Sequence, residues 1–134
     1  MKFDDEEVFV DVGCLDLGTS LNLRKYCRHV KKVYAFEPES KAYQNCLARK
    51  EQTGFTEAEI LPYGAWSERT TLHFSPEVPG SSKVAEEGDC TISAVPIDEV
   101  VDSKLRVTMI KMDVEGSELE ALKGAKNTIQ RDKP

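Results

Sequence analysis

The sequence lacks several features by which common classes of protein are recognised. Its 134 residues carry 18 basic and 24 acidic side chains, a net charge of −6, so the basic excess typical of nucleic-acid or anionic-membrane binding is missing. No apolar run reaches the roughly 18 residues of a transmembrane helix. The acidic start, MKFDDEEV, lacks the apolar segment of a signal peptide. We therefore predict a cytoplasmic protein without a nucleic-acid or membrane partner.

Metal-ligating side chains are also sparse. The four cysteines form no C-x-x-C pair, and neither of the two histidines lies in a cluster of potential ligands, so we predict no metal site. Free thiols in a reducing compartment are the simplest interpretation of these cysteines. The chain is nevertheless long enough for one domain with a hydrophobic core.

One stretch near the N-terminus organises the rest of the chain. An apolar run over 8–12 suits a buried strand, and a second run over 33–36 ends in Glu37. Between them, Gly13 and Gly18 bound a turn in which a ligand can approach the backbone closely. Glu37 lies 19 positions after Gly18, where an acid at a strand end can accept hydrogen bonds from ribose hydroxyls. The order predicts a nucleoside-binding βαβ unit.

The helix of this unit is predicted over residues 20–29. Thr19 and Ser20 are both able to cap its N-terminus. Its predicted buried face is formed by apolar residues at helical spacing, namely Leu23, Tyr26, Cys27 and Val30.

The chemistry of the turn favours one class of nucleoside. A dinucleotide-binding turn reads G-x-G-x-x-G, and the turn from Gly13 to Gly18 lacks the middle glycine, where a pyrophosphate would pack. Two acids, Asp11 and Asp16, would repel a pyrophosphate, whereas S-adenosylmethionine (SAM) carries a sulfonium and an amino group and no phosphate. We therefore predict a SAM site that includes these four residues. An NAD(P)-dependent oxidoreductase and a structural βαβ unit without a ligand remain the alternatives.

The rest of the chain alternates between strand and helix patterns. Glu39 or Ser40 can cap a second helix, and Pro62 indicates that the third strand lies at a sheet edge. After Glu37 we predict a helix from residue 40 that fades over 50–54, strands over 59–63, 70–74, 90–95 and 107–112, and a helix over 118–129. The strands 70–74 and 90–95 form a β-hairpin whose long loop is rich in proline, glycine, serine and charge.

This alternation predicts an α/β fold: a Rossmann-like three-layer sandwich with a mainly parallel sheet of order 3-2-1-4 and a β-hairpin insertion. The ends of the first, second and fourth parallel strands then meet at one edge of the sheet, where ligands bind in such folds. For the last helix, Ser117 and Glu120 match a capping box, and Leu119 and Leu122 lie on its predicted apolar side. Asp98 can cap a short helical turn before the fourth strand.

Three parts of the sequence together resemble one family. They are VFVDVGCLDLGTS (8–20), VYAFEPES (33–40) with GAWSE (64–68), and IKMDVEGSELEALKGA (110–125). They are similar to the FkbM family of SAM-dependent methyltransferases, and the last segment is the most specific. The resemblance implies O-methylation of a sugar or secondary-metabolite hydroxyl, with a small-molecule or glycan acceptor. A non-catalytic binding module that retains this half of the fold is the alternative.

The resemblance also assigns roles to individual residues. Asp11 and Gly13 match the first SAM motif, and Glu37 matches the acid that holds the ribose hydroxyls. Two further residues, Ala65 and Trp66, match a segment near the adenine, although Trp66 can equally be core packing.

The acids after the fourth parallel strand match the methyl-transfer side of the family's site. Of the two, we favour Asp113 as the catalytic base over Glu115. Asp113 can instead contact the methionine part of SAM or cap the helix, and Glu115 can instead stabilise the helix N-terminus.

The sequence departs from the family pattern in two respects. Leu17 stands where the family usually has a glycine, and Gly18 follows one place later. Residues 1–134 supply one partial domain, because strands five to seven of the usual fold are absent, so we expect a fragment or truncated product. The fourth parallel strand is then an open edge, through which we expect the chain to form a homodimer, to aggregate or to require a partner.

Overall fold

The computed structural model describes residues 6–74 and 90–134, so the hairpin loop falls outside the described residues. The strands are β1 (Glu7–Val12), β2 (Val30–Phe36), β3 (Ala58–Leu61), β4 (Gly64–Ala65), β5 (Thr70–Phe74), β6 (Cys90–Val95) and β7 (Met109–Met112). The helices are α1 (Gly18–Tyr26), α2 (Ser40–Thr53), α3 (Ile97–Val100), α4 (Glu118–Gly124) and α5 (Lys126–Asp132).

Four of the strands form a parallel sheet of order β3-β2-β1-β7. Because β7 is the fourth parallel strand in the chain, the predicted order 3-2-1-4 is confirmed. All six residues of β1 are buried, as expected for a central strand covered on both faces. β3 lies at one edge of the described sheet, as Pro62 indicated, and β7 lies at the other.

The two faces of the sheet carry separate cores, which makes the molecule a three-layer sandwich. On one face, Phe9 and Val33 pack with residues of α1 and α2, including Cys46. On the other, Val10 and Phe36 pack with residues of α3, α4 and α5. Alternate residues of a strand point to opposite faces, so each central strand contributes to both cores.

A second, three-stranded sheet has the order β4-β6-β5. β5 and β6 pair antiparallel, with Thr70 opposite Ala94 and His73 opposite Thr91, so the predicted hairpin is confirmed. The sequence pattern missed β4, a two-residue strand that pairs parallel with β6. Such a short strand has no detectable periodicity.

The first helix differs from its prediction at both ends. Leu17 is the N-cap, in a left-handed conformation, and no side chain caps the helix. Ser20, the predicted cap, instead donates its hydroxyl to Asp11. The helix ends at Tyr26, which is 76% exposed, and Val30 already belongs to β2. The predicted buried face was therefore wrong at Tyr26, the last residue of the helix, and at Val30, which is buried as part of a strand because the helix ends four residues earlier.

The second helix follows its prediction closely. The Glu39 carboxylate accepts hydrogen bonds from the backbone N–H groups of Lys41 and Ala42, which is N-cap geometry. At the other end Gly54 adopts a left-handed conformation, with φ +61, and closes the helix. Both ends are fixed by contacts within a few residues, which is why the sequence pattern predicted them.

The predicted last helix is two helices, separated at Ala125. The predicted capping box is wrong, since no side chain caps α4 and Glu120 pairs with Lys123. Leu119 and Leu122, predicted to face the core, are 65% and 44% exposed. The helix is instead oriented by Ala121 and Gly124, whose small size lets α4 approach the rest of the molecule closely.

Asp98 caps a different helix from the one predicted. Its carboxylate accepts hydrogen bonds from the backbone N–H groups of Asn127 and Thr128 and from the Thr128 hydroxyl. These N–H groups belong to the first turn of α5, whose own N-cap residue, Ala125, has no side-chain acceptor. A cap 29 residues away in the chain therefore replaces a local one.

Candidate active site

The glycine turn over 13–18 lies at the carboxyl end of β1, beside the end of β7. Gly13 has φ +76, a conformation that L side chains rarely adopt. A Cβ added there would come within 2.5 Å of the Asp113 carbonyl oxygen and 3.2 Å of a Val114 methyl. Gly13 is therefore required both by its backbone conformation and by the close approach of the two strand ends.

The N–H groups of this turn are directed into the protein. Five of the six in residues 13–18 donate internally. Those of Gly13 and Cys14 donate to the Phe36 carbonyl, Leu15 donates to Glu37, and Leu17 donates to the Cys14 carbonyl. The fifth, that of Gly18, donates to the Asp16 carboxylate. A phosphate cradle needs such donors free, so this turn fits a ligand without phosphates.

Two leucines in the turn adopt left-handed conformations. Leu15 has φ +52 and Leu17 has φ +65. Leu17 stands where the related family usually has a glycine, and the structure shows that this position does have a glycine-like backbone. Gly18, in contrast, lies in α1 with an ordinary helical conformation. The turn is therefore not shifted by one residue. Burial of the Leu17 side chain in the core offsets the cost of its backbone conformation, about 1–2 kcal/mol.

Glu37 stands immediately after β2 and holds the turn. One carboxylate oxygen accepts the Leu15 N–H at 2.9 Å, and the other accepts the Glu39 N–H at 3.0 Å. Each oxygen keeps a second lone pair for a ligand hydroxyl. Burial raises the pKa of Glu37, and the two N–H donors oppose that shift. Glu37 thus connects the turn to the second strand in the place expected for a ribose-binding acid.

Asp11 lies in a buried polar network that the sequence did not predict in full. It is 0% exposed. One of its oxygens accepts the Ser20 hydroxyl at 2.7 Å, and the other accepts the Lys111 ammonium at 3.2 Å. Asp11 and Lys111 are register partners on β1 and β7. The network joins β1, α1 and β7, and so clamps both ends of the turn. A direct contact of Asp11 with the cofactor stays a prediction.

A sequence signal for this pair exists in retrospect. Asp11 and Lys111 each precede the last residue of their strand, and parallel neighbours with aligned ends bring such residues side by side. Lysine within an apolar strand is unusual and requires a partner.

The segment that follows β3 lies next to Glu37. A Cβ added at Gly64 would be 4.0 Å from Pro38, the residue after that acid. Ala65 is buried with Phe36 in the core, and Trp66 is half-buried, with its backbone N–H bonded to the Val95 carbonyl. The geometry therefore brings this segment to the same edge of the sheet as the turn. The roles of Ala65 and Trp66 beside an adenine stay predictions.

The two predicted catalytic acids are at the tip of β7. The Asp113 backbone N–H bonds to the Val12 carbonyl, which places this residue beside Gly13. Asp113 and Glu115 are both exposed. Within residues 6–74 and 90–134, neither carboxylate has a hydrogen bond or an ion pair. Both are thus available to a substrate, and their catalytic role stays a prediction. Asp16 also lies at the surface, 3.8 Å from Arg49.

Two kinds of feature are absent from the described part of the chain. No group of three or more His, Cys, Asp or Glu side chains there is arranged to hold a metal ion. None of the described helices is both long and apolar enough to cross a membrane.

A comparison with family models matches residues 11–134 to the methyltransferase FkbM domain. The chain belongs to the FkbM methyltransferase family. The match begins at Asp11 and so includes the glycine turn, Glu37 and the acids after β7. This confirms the resemblance drawn from the sequence motifs.

Two individual relatives agree with this assignment. The hexuronic acid methyltransferase AglP of Haloferax volcanii is 33% identical over 134 residues, 95% of this chain and 53% of that protein. The crystal structure of an FkbM methyltransferase from Methylobacillus flagellatus KT superposes with a TM-score of 0.77 at 30% identity, over all of this chain and 32% of the other. The chain thus spans about half the length of its curated relative and a third of the solved one, and it shares the Rossmann-like fold of the solved one.

Proposed function

We propose that the chain is a SAM-dependent O-methyltransferase, or the SAM-binding part of one. The observation that carries this proposal is the pairing of a turn in which five of six N–H groups are satisfied internally with a buried acid, Glu37, at the end of the next strand. A phosphate-free adenosine cofactor needs the ribose acceptor and has no need of a phosphate cradle. NAD(P) needs both, which disfavours an oxidoreductase.

The residues of the site divide into holding and reacting groups. Glu37 would accept the ribose hydroxyls, Gly13 would let the cofactor approach β1, and Ala65 and Trp66 would border the adenine. When bound, SAM supplies an activated methyl group, so the protein mainly has to position the acceptor and remove its proton. Asp113 is exposed at the tip of β7 and free of partners among the described residues, and it is our candidate base for that proton.

We further propose a sugar hydroxyl as the acceptor. The support is the name of the Haloferax volcanii relative, a hexuronic acid methyltransferase. We place the protein in the cytoplasm, since Cys14, Cys27 and Cys46 are all free thiols.

Replacement of Glu37 by glutamine tests the cofactor site. We expect the wild-type chain to bind S-adenosylhomocysteine in calorimetric titration, and Glu37→Gln to lose most of this affinity because an amide offers one acceptor oxygen instead of two. Glu59→Gln, on the edge strand β3 with its partly exposed carboxylate paired to Lys32, is the matched control and should bind normally. Equal affinity of Glu37→Gln and wild type would exclude Glu37 as the ribose acceptor. Binding of NADH in preference to S-adenosylhomocysteine would overturn the proposed cofactor.

The same titration has a predicted pH dependence. Because burial raises the pKa of Glu37, its carboxylate takes up a proton at a pH above the ordinary glutamate value of 4.5. Affinity should therefore fall on acidification before an exposed glutamate would titrate, and Glu37→Gln should remove this dependence. The effect of pH on stability runs in the opposite direction. The raised pKa of Glu37 adds to the free energy of unfolding below pH 4.5, and this contribution is lost as the pH rises through the raised pKa.

The open edge of the sheet leads to a separate proposal. β7 pairs with β1 on one side, and within the described residues no strand pairs on its other side. We propose that two copies of the chain associate along this edge. Sedimentation equilibrium should then show a dimer, and Ile110→Pro, which places a residue without an N–H group on β7, should shift the chain to monomer. A wild-type chain that remains monomeric at high concentration would contradict this.

A further inference from the structure

Two cysteines face each other beneath the candidate cofactor turn. Cys14 directly follows Gly13 in the turn, and Cys46 lies in the middle of α2. Their sulfur atoms are 3.5 Å apart, and both side chains are buried. The Cys46 thiol also donates to the Leu15 carbonyl at 3.2 Å, which leaves Cys14 as the donor to the Cys46 sulfur.

We propose that Cys14 and Cys46 form an oxidative modification site, at which a peroxide converts the two thiols into a disulfide that reduces cofactor binding by the turn. The pair joins the turn to α2 across 32 residues of sequence. Cys27, the other cysteine whose side chain is described, lies at the end of α1 and has no such partner. The effect on binding rests on the proposed cofactor, whereas formation of the disulfide does not.

The reaction balances with hydrogen peroxide as the oxidant. The thiolate of one cysteine attacks a peroxide oxygen, the O–O bond breaks, and a sulfenic acid and hydroxide form; the hydroxide takes up the thiol proton as water. The sulfur of the second cysteine then attacks the sulfenic sulfur, the S–O bond breaks, and a second water leaves with the remaining proton. The two thiols lose two electrons, which the peroxide gains.

The contacts of Leu15 connect this reaction to the cofactor site. Its carbonyl accepts the Cys46 thiol, and its N–H donates to Glu37. Disulfide formation removes the thiol proton and draws the two sulfur atoms from 3.5 Å to a bond length of about 2.05 Å. The turn therefore has to move toward α2, and Leu15 loses the hydrogen bond that its carbonyl accepts from Cys46. Because Leu15 donates its N–H to Glu37, both changes should displace the Glu37 carboxylate, which we propose accepts the ribose hydroxyls.

Burial determines when the reaction can occur. It raises the pKa of both thiols, so they stay protonated and unreactive while the turn is closed. Opening of the turn would expose them, and Leu15, which is left-handed and 67% exposed, has no side-chain burial to offset the cost of its backbone conformation. A cofactor that holds the turn closed should therefore slow the oxidation.

Peptide mapping tests the modification site directly. Trypsin places each of the four cysteines in a different peptide, with Cys14 in 3–24 and Cys46 in 42–49. After peroxide treatment, alkylation and digestion without reductant, we expect peptide 3–24 to be joined to 42–49, and dithiothreitol to release them. A joined product that involves Cys27 or Cys90 in place of this pair, or unmodified Cys14 and Cys46, would overturn the proposal.

Two serine variants serve as controls. Cys46→Ser removes one thiol of the pair, so a Cys14 that reacts with peroxide has no partner, should stop at the sulfenic acid and should react with dimedone. Cys27→Ser should leave the joined peptide unchanged. The wild-type mapping does not depend on either variant folding.

Titration with S-adenosylhomocysteine tests the consequence for binding. The oxidised chain should bind several-fold more weakly than the reduced chain, and reduction should restore the affinity. A mapped disulfide without any change in affinity would overturn the regulatory effect. A reduced chain that binds no S-adenosylhomocysteine, yet still forms the disulfide, would overturn the proposed cofactor and leave the modification site in place.

Discussion

Gly124→Ala is expected to destabilise the chain by about 3 kcal/mol, although alanine favours an exposed helix by about 1 kcal/mol over glycine. Gly124 ends α4 and is buried. A Cβ there would overlap the backbone carbonyl oxygen of Trp66 and lie 3.1 Å from the Cα of Pro96. Both obstacles are backbone, so they cannot rotate away, and α4 would have to separate from the segment after β4. Equilibrium unfolding in urea measures the loss.

Gly54→Ala is the matched control for this variant. Gly54 has φ +61, but a Cβ there would meet nothing within 4 Å. Its substitution should therefore cost only the left-handed conformation, about 1 kcal/mol. If Gly124→Ala is as stable as wild type, or loses less stability than Gly54→Ala, then α4 does not pack against the Trp66 backbone as closely as the structure shows.

Lys111→Met is expected to be the most damaging replacement of a charged side chain. It leaves the Asp11 carboxylate, 0% exposed, with only the Ser20 hydroxyl as a side-chain partner among the described residues. Removal of one member of a buried ion pair typically costs 3–5 kcal/mol, and we expect about 3 kcal/mol because the Lys111 side chain is 28% exposed. Because the same network clamps the turn, affinity for S-adenosylhomocysteine should fall with it.

Two further variants separate this effect from a general loss of charge. Lys123→Met removes a solvent-exposed partner of Glu120 and should change stability little. Adding Asp11→Asn to Lys111→Met should recover most of the lost stability, because no unpaired charge remains buried and the amide oxygen still accepts the Ser20 hydroxyl. Equal unfolding midpoints for Lys111→Met and Lys123→Met would show that the Asp11–Lys111 pair contributes nothing specific.

The features that sequence reasoning predicted correctly depend on short stretches of chain. β-branched runs bounded by glycine and proline marked β1 and β2, and Glu39 and Gly54 marked the ends of α2. A parallel sheet with right-handed crossovers then allowed few strand orders. The position of Glu37 at the end of β2 followed from that order.

Sequence reasoning failed where a polar side chain had a choice of partners. Ser20 and Asp98 both stand next to helix starts, where local capping is the usual expectation. Ser20 instead meets Asp11, because a buried carboxylate without donors is costlier than an uncapped helix near solvent. Asp98 caps α5, which had no local acceptor of its own.

The sequence alone therefore determined the class of fold, the order of the parallel strands and the location of the candidate site, because these follow from local patterns of hydrophobicity and turn residues. Only the tertiary structure decided the ion pair of Asp11 with Lys111, the facing thiols of Cys14 and Cys46, and the packing of Gly124 on Trp66. Each of these joins elements far apart in the chain, and no local pattern specifies which distant residue fills a given position on a face.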